Sequence, residues 1–357
     1  MAFKKPEVKT ITPDIANLSI YIRSVKKFGK TTLFRDVIVE KYGDPEAGCL
    51  VQVGMERGAE VLDNINTLHI DTYEDLMELQ KWLIEGKGTE HNIKIVAFDT
   101  ADELIPLFDS QTIKLHNRDN PQKLVKTINA AMGGYNEGKK YSAGLMKAYF
   151  DKLRQAGIQV WVLAHSKYKN IRDKATVDTD GYMQLTSILE APYEAALGDI
   201  FDVTLTGMID RNIEVVGEGD QAKRYATDVI RKLYFRGTPE IDAGGRFADG
   251  AVPEYLVFDK PNMAADFIRV VEEGMEKSKT IKEKKAAKKT KVSKDDTPKD
   301  DVPWTEITED RLDVARTKYK EADTDVKAKV KEILNGEKLS LNMDEEVLTK
   351  VEKALGI

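Results

Sequence analysis

The chain has 357 residues, of which 41% are hydrophobic and 32% charged, with a formal net charge of -6. That length suits one large domain with an appendage, or two domains, and the acidic balance excludes a surface coated in positive charge for nucleic acid while leaving room for a local basic groove. One cysteine, Cys49, excludes an internal disulfide, MAFKKPEVKT lacks the apolar run of a secretory signal, and no stretch approaches the roughly 18 apolar residues of a membrane span, so a cytoplasmic protein is expected.

In chain order, residues 1–16 read as an N-terminal arm, with a docking strand between subunits as one reading of MAFKKPEV. LSIYIRS reads as a strand. KTTLFRDVIVEKYG reads as a helix ending at Gly43, because a glycine takes the left-handed conformation that closes a helix. CLVQVG is a short buried strand, and TYEDLMELQKWLIEG has helical spacing with Thr72 as N-cap. IKIVAFDT is the most strand-like run. GLMKAYFDKLRQAG is a helix that feeds the strand IQVWVLAH, and DVTLTGMI and YATDVIRKLYF read as strands that could form a hairpin. Two stretches break the pattern, from about 109 to 142 and over 166–187, and are expected to be long loops, functional or disordered.

The alternation of strands and helices predicts an α/β core with a mainly parallel sheet flanked by helices over 17–273. The run EKSKTIKEKKAAKKTKVSKDDTPKDD is almost free of apolar residues and cannot bury a core, so 274–302 reads as a charged flexible linker. Three amphipathic segments follow over 303–357 and predict a small helical unit, with Trp304 in DVPWTEI.

The chemistry begins at SVKKFGKTTL. A phosphate-binding loop follows G-x-x-x-x-G-K-[ST] between a strand and a helix, and Gly29, Lys30 and Thr31 fit its end. Loop N–H groups from Ser24, Val25, Lys26, Lys27 and Phe28 through Thr32 would face the phosphates, with the helix dipole behind them. Lys30 would reach the terminal phosphates and the Thr31 hydroxyl would bind Mg²⁺. Ser24 stands where the pattern has its first glycine, a substitution expected to cost backbone freedom at the turn but none of the chemistry. Asp99, ending the apolar strand IKIVAFDT, is the acid expected to hold the magnesium shell across the sheet.

In this order, SVKKFGKTTL, CLVQVGMERGAEVL, IKIVAFDTADEL and IQVWVLAHSKYK resemble the RecA-like ATPase core. In particular they resemble the bacteriophage-encoded RecA-like P-loop NTPases associated with single-strand annealing and recombination, with RKLYFRGTPEIDAGGRF similar to the end of that core. The resemblance covers about residues 17–260. It implies ATP and Mg²⁺ as cofactors, Glu56 as the acid that orients the attacking water, and His165 as a sensor of the γ-phosphate. It also implies single-stranded DNA held by the loop after the sensor, through Lys167, Tyr168, Lys169, Arg172, Lys174 and Tyr182, and by a first loop with Arg118, Lys123, Lys126, Lys139 and Lys140. A cation supplied by a neighbouring subunit, from among Lys232, Arg236 and Arg246, would complete the site in a homo-oligomer. The lysine-rich run and the terminal unit could contact DNA or a single-stranded-DNA-binding or recombination partner. A nucleotide-binding scaffold without turnover, a helicase-like motor and a small-molecule kinase are alternatives on the same loop.

Overall fold

The structure is a computed structural model that describes residues 12–172, 181–216, 223–292, 309–334, 339 and 345–356. The chain divides into two units, 1–287 and 288–357.

The first unit is built on a mixed sheet. Its strands are β1 (Ile20–Ser24), β2 (Gly48–Val53), β3 (Thr67–Ile70), β4 (Ile95–Asp99), β5 (Gln159–Ile171), β6 (Tyr182–Ser187), β7 (Val203–Val216), β8 (Lys223–Tyr234), β9 (Gly244–Gly245) and β10 (Tyr255–Val257). The main order is β10-β8-β7-β1-β5-β4-β2-β3, with β6 attached to β5 and β9 to β7. From β7 to β3 all neighbours run parallel, while β8 and β10 add an antiparallel edge. β1, β2 and β4 are buried along their whole length, which is why apolar residues follow one another over 20–22, 49–51 and 95–98 instead of alternating with polar ones.

Strand alternation sorts the core onto two faces. Tyr21, Val96, Phe98, Val160 and Val162 pack on one side against α2 (Tyr73–Glu85), α3 (Ala101–Asp119), α4 (Glu137–Gln155) and α5 (Ala191–Ile200). Ile20, Ile22, Ala97, Trp161 and Leu163 pack on the other against α1 (Lys30–Tyr42) and α6 (Met263–Val292). Gly43 closes α1 at φ 64°, and Thr72 caps α2 in a reciprocal capping box with Asp75.

Three expectations from the sequence change here. The stretch from 109 to 142 is not one long loop: α3 runs to Asp119, a 3-10 turn spans Ile128–Gly133, and α4 starts at Glu137. The helical period of α3 was hidden because its last buried positions are the polar Thr112 and His116. Thr112 satisfies its hydroxyl on the Phe108 carbonyl (2.9 Å), and His116 accepts from the Met132 N–H (3.1 Å). Within the stretch from 166 to 187 the described residues are largely paired strand: β5 continues past His165 and pairs antiparallel with β6 from Ser166/Ser187 to Ile171/Tyr182, while 173–180 lie outside the described residues. Finally, the core boundary read at 273 falls inside α6. Gly274 lies against Val252 and Phe247, and the buried Ser278 hydroxyl accepts from the Ala248 N–H (2.8 Å). At the other end, Asp14 caps a 3-10 turn and Ile15 is buried in the core, so residues 14–16 belong to this unit; residues 1–11 lie outside the described residues.

The second unit contains α7 (Glu309–Glu321), α8 (Thr324–Leu334) and α9 (Glu345–Leu355). Leu312, Ala315 and Leu348 are buried between them, and Arg311 is held by Glu352 in a bidentate ion pair of 2.6 and 2.7 Å.

Candidate nucleotide site

The loop leaves the sheet at its carboxyl edge, where open α/β sheets bind ligands. Ser24 is the last residue of β1, in register with His165 of β5 on one side and Gly207 of β7 on the other. It is an ordinary extended residue, so the expected loss of backbone freedom does not arise. The left-handed positions are Lys27 (φ 61°) and Gly29 (φ 108°). Gly29 is also required by space: a Cβ there would stand 2.9 Å from the Phe258 ring. The Ser24 side chain does something the motif's glycine cannot, since its hydroxyl accepts from Lys30 Nζ at 3.2 Å. The residue before it, Arg23, is a buried charge in an apolar strand. It is fixed by Glu194 of α5, by Asp242 (2.7 Å) and by the Thr206 hydroxyl (3.0 Å), which anchors the strand end that launches the loop.

One strand, β5, separates the loop strand from the Asp99 strand. Asp99 nonetheless reaches across, and the Thr31 hydroxyl donates to its carboxylate at 2.8 Å. Burial pushes the Asp99 carboxyl up from its ordinary range, against the opposing pull of Thr31 and Lys30. Burial likewise pushes the Lys30 ammonium down, with the Asp99, Asp102 and Glu56 carboxylates opposing it. A half-buried hydroxyl and a buried carboxylate in contact, beside a phosphate cradle, suit Mg²⁺, which takes one or two protein oxygens and completes its shell with phosphate and water. Thr31 and Asp99 are the residues that would hold it.

Lys26 through Thr32 line a cavity of about 500 Å³ together with Glu56, Asp99, His165 and Arg231. The structure therefore brings the sequence-derived residues of the loop, the second strand, the acidic strand and the sensor strand to one place. Glu56 accepts from the Gly58 N–H (3.1 Å), a turn that holds its carboxylate at the mouth. His165 Nδ1 lies 2.7 Å from Asp102 Oδ2, and the His165 N–H donates to the same oxygen at 3.1 Å. A carboxylate only accepts, so Nδ1 carries the proton and Nε2 is left as the nitrogen available to the cavity.

Two of these residues escaped the sequence reading. Asp102 sits in the first turn of α3, where an acid after a strand looks like an ordinary dipole partner. Arg231 lies next to Lys232 in VIRKLYF, and neighbours in a strand face opposite sides. The facing of that pair decides which cation meets the loop, and the sequence does not record it.

A family profile described as an AAA domain matches residues 16–247. The chain belongs to the AAA-domain family. A search of curated proteins found no match. Membership in this family of P-loop NTPases implies nucleotide binding, and the cavity around the loop is the candidate site for it.

The remaining candidates lie elsewhere. Lys167, Tyr168, Lys169 and Arg172 stand on the β5 extension and just past it, and Tyr182 opens β6; Lys174 lies outside the described residues. Tyr168 is 52% exposed, while Lys169 Nζ donates to the Leu189 carbonyl (3.2 Å), and burial with the Lys167 charge pushes its ammonium down. In the first stretch Lys123 and Lys126 are exposed, Lys140 pairs with Glu137 and Arg118 with Asp119. Lys139 is buried against Glu190, so its charge serves the fold and not a phosphate backbone. Lys232 is paired with Asp210 at 2.7 Å, Arg246 with Asp202 at 3.3 Å, and Arg236 is exposed in the turn after β8. None of these three lines the cavity of its own chain. Among the described residues no helix is long and apolar enough to cross a membrane.

Proposed function

We propose that this AAA-domain protein binds ATP with Mg²⁺, hydrolyses it, and couples the reaction to single-stranded DNA as an oligomer, in the manner of the phage recombination ATPases its motifs resemble. The observation that carries the reading is the continuity of β5. The strand that presents His165 to the phosphate cavity runs on without interruption into the hairpin bearing Lys167, Tyr168, Lys169 and Arg172. A change of partner at His165 is thereby one residue from the base of a cationic, aromatic hairpin.

In this reading Lys30 exchanges the Ser24 hydroxyl for the terminal phosphates, and Thr31 and Asp99 would hold a Mg²⁺ that supplies neutralisation of phosphate charge. Glu56, the carboxylate at the mouth that does not contact Thr31, orients and deprotonates the attacking water. His165, anchored through Nδ1, meets the γ-phosphate with Nε2. Lys232, Arg236 and Arg246, which do not line the cavity of their own chain, remain the candidates for a cation supplied to a neighbouring subunit, the first and last after release from Asp210 and Asp202.

The test is ATP turnover with and without single-stranded oligonucleotides. DNA-stimulated turnover that Lys30→Ala abolishes is the expected result. Turnover indifferent to DNA at low salt, over a range of oligonucleotide lengths, would sink the coupling.

A further inference from the structure

Arg231 has no role in the reading above, yet it is the cation that touches the phosphate loop. Its Nη1 donates to the Phe28 carbonyl at 2.8 Å, and its guanidinium lies 4.9 Å above the Phe258 ring, which itself packs on Phe28 with 4.6 Å between ring centroids. The rest of the guanidinium is taken by Asp259: Nε donates to Oδ1 at 2.6 Å, Nη2 pairs with the same oxygen, and the Arg231 N–H donates to Oδ2 at 2.9 Å. The side chain is one-third exposed, at 33%.

Position gives this arrangement its meaning. Beyond the phosphate cavity lies a second groove of about 1030 Å³, lined among others by Asp36, Asn64, Asp259 and Asn262. Thr32 and Arg231 are the two residues that line both spaces. A nucleotide whose terminal phosphates meet Lys30 and whose nucleoside lies in this groove would leave the cradle past Thr32, with the phosphate nearest the ribose at the threshold under Arg231. The fork of an arginine suits a phosphate oxygen, and the Phe258 face supports the guanidinium in either position.

We infer that Arg231 binds the nucleotide in cis, at the α-phosphate, and that Asp259 is its competing partner: phosphate and carboxylate contend for one guanidinium. The inference rests on the nucleotide-binding reading of the loop. It predicts opposite signs for the two members of one ion pair. Arg231→Ala should weaken ADP binding about 10-fold or more, the loss of a charge-assisted contact. Asp259→Asn should tighten it severalfold, since the guanidinium is then released to the ligand while the amide oxygen still accepts from the Arg231 N–H. A purely structural ion pair gives the same sign for both.

The experiment is calorimetric titration of the full chain with ADP and with ATP in Mg²⁺, on wild type, Arg231→Ala, Arg231→Lys, Asp259→Asn and Lys30→Ala, each checked for native melting. Equal losses for ADP and ATP in Arg231→Ala, an intermediate Arg231→Lys and a tighter Asp259→Asn support the assignment. Wild-type affinity in Arg231→Ala, a loss confined to ATP, or an Asp259→Asn that weakens binding would overturn it. Unchanged binding in Lys30→Ala would overturn the loop reading itself, whereas loss there with an unaffected Arg231→Ala overturns only this inference.

Discussion

At the residue scale, the site holds charges where burial opposes them. The Lys30 ammonium is pushed down and the Asp99 carboxyl up, so each charged form costs stability in the protein without added nucleotide. Lys30→Met should therefore abolish nucleotide binding and at the same time raise the melting temperature measured without nucleotide. A gain of about 1 kcal/mol would appear as roughly 2–4 °C in a domain of this size. The sign of the pH dependence follows: a lysine with a depressed folded-state pKa sheds its proton first in the native state, so wild type regains stability as pH rises through that value. The gap between variant and wild type should shrink on the alkaline side. A variant that melts below wild type at neutral pH would contradict this account. Glu56→Gln should retain ATP affinity and lose about 10²–10⁴-fold in turnover, measured by phosphate release, as removal of a general base does. Ser24 shows how a motif mismatch is best read. The pattern marks it as a missing glycine, whereas its extended backbone needs none and its hydroxyl holds Lys30. Its environment, not its identity, decided the matter, and the sequence carries no record of which strand lies opposite.

At the element scale, the strands that carry the site were legible because a parallel strand buried on both faces needs a continuous apolar run. Residues 20–22, 49–51 and 95–98 are such runs, with polar residues only toward the carboxyl ends of their strands, and DVTLTGMI with YATDVIRKLYF does pair antiparallel, β7 with β8. Elements with polar residues at core positions were not: α3 ends on Thr112 and His116, and β3 is exposed over Thr67–His69. The short β9 and β10 have too few residues for any period. The fit of β7 beside β1 makes a quantitative demand. A Cβ at Gly207 would stand 2.8 Å from the Phe28 ring and 2.8 Å from Ser24 Cβ. Gly207→Ala should destabilise the protein by about 1–3 kcal/mol, the cost of overpacking a filled site, and weaken nucleotide binding by displacing the loop. Denaturant unfolding and ADP titration read the two effects. An alanine accepted at no cost would mean that the loop has slack the packing does not show.

At the scale of the whole molecule, every residue of the nucleotide site belongs to the first unit, which carries α6 past the composition change that suggested a linker. A chain stopped after Val292 should bind ADP as the full chain does, tested by the same titration. A loss of more than a few-fold would show that the second unit contributes to the site. The charged run itself was readable from composition, because a stretch almost free of apolar residues cannot bury a core. Where that run begins to be helical was not, because lysine and alanine are also good helix formers. The acidic whole and the basic hairpin on β5 and β6 are compatible because the net charge of -6 averages over surfaces that a ligand meets one at a time. The pairings around the cavity carry one more consequence. Lys30 rests on Ser24, Thr31 on Asp99, His165 on Asp102 and Arg231 on Asp259. A small monovalent anion that entered would break one such pair and offer little in exchange. On the proposed reading a polyphosphate offers several oxygens and replaces the partners of Lys30 and Arg231 together, while His165 keeps Asp102 and adds Nε2. A simple ion that displaces a single partner gains less, so on that reading internal competition favours the polyphosphate without any moving gate.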